Sequence, residues 1–137
     1  PIEYGKCEMI SEGSEIAILS VGHMFEETVK IKENLDSMGY NSSLVNARFV
    51  KPIDEAMIEK LAENHKMIAV VEENVKTGGF GEQIMRYVSE HKLSVNVLSL
   101  SLPDEFIEHG SITELRRENG IDSASLTDRI IHAYKEL

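Results

Sequence analysis

The segment Met67–Val88, MIAVVEENVKTGGFGEQIMRYV, decides how the chain folds. Its first five residues form a short continuous apolar run, the pattern of a strand covered on both faces. Gly78, Gly79 and Gly81 then turn the chain. From Phe80 the apolar period becomes helical, with Ile84, Val88 and His91 predicted to face inward. Two carboxylates, Glu72 and Glu73, stand where the strand ends. Open α/β sheets bind their ligands at such strand ends, so this turn is the first place to look for function.

The same alternation runs in both directions from this segment. Upstream, Cys7–Ile10 is a short strand before the turn Ser11–Ser14. Ile16–Val21 is a second fully apolar run. Met24, Thr28, Ile31, Leu35 and Met38 recur at steps of four and three, one face of an amphipathic helix that Gly39 can end in a left-handed cap. Ser43–Val50 is the next strand, closed by Pro52, and Asp54 can cap a helix with Met57, Ile58, Leu61 and Ala62 on one face. Downstream, Val95–Leu100 is a further strand. Ser111 and Glu114 form a capping-box pattern, and Ser125 with Asp128 repeats it for a last helix carrying Leu126, Ile130, Tyr134 and Leu137. Strand–helix alternation of this kind requires a mostly parallel sheet between helices. The first strand has only a tight turn to the second, too short for a parallel crossover, so an antiparallel edge position is expected for it.

At 137 residues the chain is expected to form one domain over 1–137. Its net charge of −10 argues against binding nucleic-acid backbones or an anionic membrane surface. No apolar run approaches the length of a membrane helix. The N-terminal residues lack signal-peptide regions, and the chain begins at Pro1, which suggests a fragment of something longer. The single Cys7 suits a reducing compartment, hence a cytoplasmic location. One cysteine and five scattered histidines offer no zinc spacing.

The candidate chemistry is thin. Gly78-Gly79-Phe80-Gly81 could cradle an anion at a helix N-terminus. However, it matches neither the Walker nor the dinucleotide pattern, and Glu72, Glu73 and Glu82 would repel phosphate. A tight turn that lets the helix pack on the sheet is the simpler role. Neighbouring strand residues point to opposite faces. Glu72 and Glu73 therefore do not make an acid–base pair; one faces solvent while the other caps a loop or meets a cation at an interface. His23 follows a strand-ending glycine and His109 precedes Gly110 in a loop; either could meet a ligand at a strand-end crevice or an interface. His65, His91 and His132 lie late in predicted helices, where imidazoles meet terminal carbonyls. Arg48 and Lys51 could bind phosphate or pair with the acidic surface. No G-x-S-x-G elbow supports a hydrolase.

Taken together, the motifs carry a resemblance. IEYGK at 2–6, EGSEIAILSVG at 12–22, VNARFVKPID at 45–54, VEEN at 71–74 with GGFG at 78–81, LPDEFIEHG at 102–110 and GID at 120–122 occur in this order. The chain resembles the C-terminal domain of the transketolase family over nearly its whole length. The RFVKPID and LPDEFIEHG segments resemble the 1-deoxy-D-xylulose-5-phosphate synthase branch of that family, with a split transketolase as the nearest competitor. The resemblance implies an α/β/α fold with a mixed five-stranded sheet of order 1-3-2-4-5, strand 1 antiparallel. It implies a parent enzyme that uses thiamine diphosphate and Mg to join a two-carbon unit from pyruvate to glyceraldehyde 3-phosphate. In the family the cofactor is held by the first two domains, whose motifs are not in these residues. The resemblance therefore implies no catalytic, cofactor or metal residue here, and a chain inactive by itself. The partners it implies are the N-terminal and middle domains and a second copy in a homodimer. The residues expected at such contacts are Glu72, Glu73, Gly78, Gly79, Phe80, Gly81 and His109. An independent binding or regulatory module is the alternative from another class. A domain cut from its partners should also show an apolar patch.

Overall fold

The structure, a computed structural model, describes residues 6–47, 53–73, 79–102 and 122–137. Among these, the elements run β1 (Glu8–Ser11), β2 (Glu15–Val21), α1 (Phe25–Ser37), β3 (Ser42–Ala47), α2 (Glu55–Asn64), β4 (His65–Glu73), α3 (Phe80–Glu90), β5 (Asn96–Leu102) and α4 (Ser123–Lys135). The five strands form one sheet in the order β1-β3-β2-β4-β5. β1 is antiparallel to β3, and the other pairs are parallel. This is the expected topology, and the short Ser11–Glu15 connection accounts for the antiparallel edge. The register of β1 slips between Met9 and Ser11, a bulge at the exposed edge of the sheet.

The sheet divides the core in two because strand side chains alternate between faces. Ile16, Ile18, Leu44, Met67, Ala69, Val71 and Leu100 pack under α1 and α4, with Ile31, Leu35, Leu126 and Ile130 from the helices. Ala17, Leu19, Val21, Val45, Ile68 and Val70 pack under α2 and α3, with Ile58, Leu61, Phe80, Ile84 and Tyr87. β2 is buried at every position from Ile16 to Val21.

Local signals set the ends of the elements. Gly39 takes φ +90 just beyond α1, and its N–H bonds to Asp36 O. Asp54 caps α2 by accepting the Met57 N–H at 3.2 Å, which is worth about 1 kcal/mol for such caps. The second oxygen of Asp54 accepts the Cys7 N–H at 2.7 Å and ties the start of β1 to the same cap. Burial, then the Asp54 charge, pushes the Cys7 thiol up to about 12, so it stays an unreactive thiol. Glu15 adopts φ +64 at the start of β2. Its carboxylate accepts the Asn41 N–H and the Tyr134 hydroxyl, each at 3.0 Å, so this strained residue ties β3 and α4 together.

Several sequence expectations need correction. α4 begins two residues before Ser125: Asp122 is its cap, and the Asp122 carboxylate accepts the Ser125 N–H at 2.9 Å. Leu137 lies beyond α4 and is 54% exposed rather than inward. His91 is exposed too, because α3 ends at Glu90 and its ring stacks on Tyr87 instead. Tyr87 takes the buried place on that face. His65 is the first residue of β4 rather than a late residue of α2. The Ser111–Glu114 helix start, Arg48, Lys51 and His109 lie outside the described residues.

Candidate functional site at the carboxyl ends of the strands

β2, β3, β4 and β5 are parallel, so α1, α2 and α3 all begin at the end of the sheet where these strands finish. Helix N-termini expose unpaired N–H groups, and this end of the molecule must satisfy them. At α3 the solution is Glu72. Its side chain is 3% exposed and sits eight residues before the helix. One carboxylate oxygen accepts the Phe80 N–H at 3.1 Å, and the other accepts the Gly81 N–H at 2.6 Å. The negative charge also lies on the positive end of the helix dipole. Each oxygen thus accepts one backbone N–H, and Glu72 serves as the cap of α3.

Gly81 explains why this fit needs glycine. A Cβ at Gly81 would lie 2.3 Å from Ser99 Oγ, 2.9 Å from Ser99 Cβ and 3.0 Å from the Glu72 carboxylate. The first turn of α3 lies directly against β5, and only a residue without a side chain allows that approach. Phe80 is 1% exposed and fills the core under α3. Gly79 is the α3 N-cap residue, in extended conformation without a side-chain cap. Its lack of a side chain is why the Glu72 carboxylate has to reach in from the strand. The structure therefore brings Glu72, Gly79, Phe80 and Gly81 into one cap. Glu73 continues β4 and pairs with Leu102. Gly78 and His109 lie outside the described residues, and His23 is exposed after β2.

A second polar group was not legible in the sequence. His65 is 7% exposed, at the opposite end of the sheet. Its Nδ1 lies 2.9 Å from Leu61 O and its Nε2 lies 2.7 Å from Ser43 Oγ. A carbonyl can only accept, so Nδ1 carries a proton, and in the neutral imidazole Nε2 then accepts from the Ser43 hydroxyl. Ser43 Oγ in turn accepts the Gly13 N–H at 2.8 Å. Ser43 and His65 have the spacing of a nucleophile and its base. Yet Ser43 is fully buried and its oxygen is engaged by Gly13. His65 is oriented by a carbonyl rather than a carboxylate. The pair joins the β1–β2 turn to the end of α2.

Among the described residues no group of three or more His, Cys, Asp or Glu could hold a metal ion. No helix among them is long and apolar enough to cross a membrane. The arrangement at the strand ends holds the start of α3 in place.

Comparison with known proteins agrees with this topology. The family described as "Transketolase, C-terminal domain" matches residues 5–126. A 1-deoxy-D-xylulose-5-phosphate synthase from Lachnoclostridium phytofermentans is 42% identical over 130 residues, which cover 94% of this chain and 21% of the relative. One from Caldanaerobacter subterraneus subsp. tengcongensis is 39% identical over 133 residues, covering 97% of this chain and 21% of the relative. The chain thus spans about a fifth of the length of these curated relatives. A split-gene transketolase, solved as an inactive β4 tetramer, shares the fold with a TM-score of 0.80 at 22% identity, covering 98% of this chain and 43% of that one. A 2-oxoglutarate:ferredoxin oxidoreductase from Magnetococcus marinus shares it with a TM-score of 0.61 at 12% identity, covering 96% and 20%. With the family matched from the first described strand into α4, over most of its length, this chain belongs to the transketolase C-terminal domain family.

Proposed function

We propose that residues 1–137 are the non-catalytic C-terminal domain of a thiamine diphosphate-dependent transferase of the 1-deoxy-D-xylulose-5-phosphate synthase kind. The parent enzyme would act in the cytoplasm on pyruvate and glyceraldehyde 3-phosphate, with thiamine diphosphate and Mg held by its other domains. This domain would pack against the N-terminal and middle domains and support a homodimer. The observation that carries the proposal is the state of Glu72. The buried carboxylate at the strand ends, where a ligand would be expected, instead accepts the N–H groups of Phe80 and Gly81 and caps α3. The identity to the synthases over nearly the whole chain supports the same reading. No step of the reaction is assigned to the described residues.

Glu72, Gly79, Phe80 and Gly81 are buried within this chain, so of the expected contact residues Glu73, Gly78 and His109 remain as candidates for contacts with other domains. The exposed large hydrophobics among the described residues, Ile10, Met38, Met85 and Leu137, sit on four different parts of the fold. The C-terminal part of a split transketolase is a second reading, compatible with the shared fold.

Isothermal titration of thiamine diphosphate with Mg into this chain tests the proposal. No binding is expected. Tight binding by the chain alone would overturn it. Mixing the chain with separately expressed N-terminal and middle domains should give a complex on gel filtration.

A further inference from the structure

We propose that the cleft between the β1–β2 turn and the end of α2 binds a small zwitterion of the free α-amino acid class. This cleft is at the opposite end of the sheet from the Glu72 cap. It has a volume of about 130 Å³ and is lined by Met9, Glu12, Gly13, Ser14, Lys60, Leu61, Asn64 and His65. That is room for about four waters, or for an amino acid with a short side chain.

The charges on its walls point to the ligand class. Glu12 comes from the turn and Lys60 from the helix. The two do not pair with each other, and neither side chain is engaged by another described residue. A cleft with one free carboxylate and one free ammonium suits a ligand that carries both signs. Each end also has a second polar partner. Asn64 Nδ2 donates to Lys60 O at 2.8 Å, which leaves Asn64 Oδ1 as an acceptor for an ammonium. The carbonyl end of α2 favours a positive group as well. Ser14 Oγ accepts from Asn41 Nδ2 at 3.0 Å, which leaves its hydroxyl proton to donate to a carboxylate beside Lys60.

The walls are held in place before any ligand arrives. A Cβ on Gly13 would lie 2.3 Å from Ser42 O, so the turn is seated directly on β3. The Gly13 N–H is fixed by Ser43 Oγ, and Ser43 by His65, which is bonded to Leu61 O. This buried chain of hydrogen bonds joins the wall that carries Glu12 to the wall that carries Lys60. Fixed walls reduce the ordering cost of binding.

The test is a titration of the full chain with glycine and with L-alanine, followed by amide resonances in two-dimensional NMR. Saturable shifts confined to Glu12, Gly13, Ser14, Asn64 and His65, with a millimolar midpoint, are expected. Lys60→Met and Glu12→Gln should each raise that midpoint about fivefold while leaving the thermal melt unchanged. Acetate and methylammonium, each carrying one charge, should bind more weakly than alanine by a similar factor. Three results would overturn the proposal: no localised shift up to tens of millimolar amino acid, equal binding of acetate or methylammonium, or an unchanged midpoint in both variants.

Discussion

The two ends of the sheet solve the same problem with opposite chemistry. Where the strands finish, helices begin, and carboxylates meet their free N–H groups: Asp54 at α2 and Glu72 at α3. Where the strands start, helices end, and imidazoles meet the free carbonyls: His65 on Leu61 O and His91 on Tyr87 O. Helix dipoles favour this division, since negative groups suit N-termini and donors suit C-termini. The ends differ in kind, however. Glu72 places a buried charge on a helix start, whereas the Ser43–His65 relay is a neutral chain of donors and acceptors. A buried charge loses more when it is disturbed, because its partners are then left without a strong acceptor.

The largest expected effect follows from that difference. Glu72→Ala should lower stability by about 2–4 kcal/mol, because it strands two buried N–H groups. Glu72→Gln keeps one acceptor oxygen and should lose about half as much. Urea unfolding midpoints measure both, and a loss below about 0.5 kcal/mol for Glu72→Ala would remove the distinction between the ends. Ser43→Ala should have a smaller effect, about 1–2 kcal/mol, because it breaks a neutral relay. The two substitutions lie at opposite ends of the sheet, so the double variant should show their sum to within about 0.5 kcal/mol. A larger departure would mean that the two ends are coupled through β4.

The smallest effect concerns Tyr87, which stacks on His91 and donates to Glu59 across α2 and α3. That hydrogen bond, then burial and the charges of Glu59 and Glu55, pushes the Tyr87 hydroxyl up to about 12. A raised value in the folded state means that the stabilisation is fully present below the ordinary tyrosine range near 10. It is lost as the pH rises from there toward about 12. Absorbance titration of the native chain should show a late-ionising tyrosine, and Glu59→Gln should bring it down. A Tyr87 that titrates near 10 in the native chain would show that the link between α2 and α3 is not made.

Features that depend on neighbours in sequence were legible. The Gly39 terminator, the Asp54 cap and the change of period at Phe80 are all local. The antiparallel edge strand followed from the length of one turn. Glu72 was half legible: pleating separates it from Glu73, and a capping role was one of the options, but only packing shows which helix it caps. The Ser43–His65 contact joins residues on two different strands and left no mark in either segment. His91 and Leu137 went wrong because a helical period can continue in the sequence past the last helical residue. Asp122 and Ser125 offered two overlapping caps three residues apart, and the carboxylate on Asp122 reached the free Ser125 N–H.

The burial of β2 on both faces has a kinetic side. Its partners are β3 and β4, and β4 lies far along the chain. While the polypeptide is being made, Ile16-Ala17-Ile18-Leu19 must wait until residues beyond Met67 have emerged before its second edge can pair. During that wait it is a β-prone apolar segment with an open edge, the feature that promotes aggregation of nascent chains. α1 follows β2 directly in the chain and packs on one of its faces, so that face can be covered before β4 has been made.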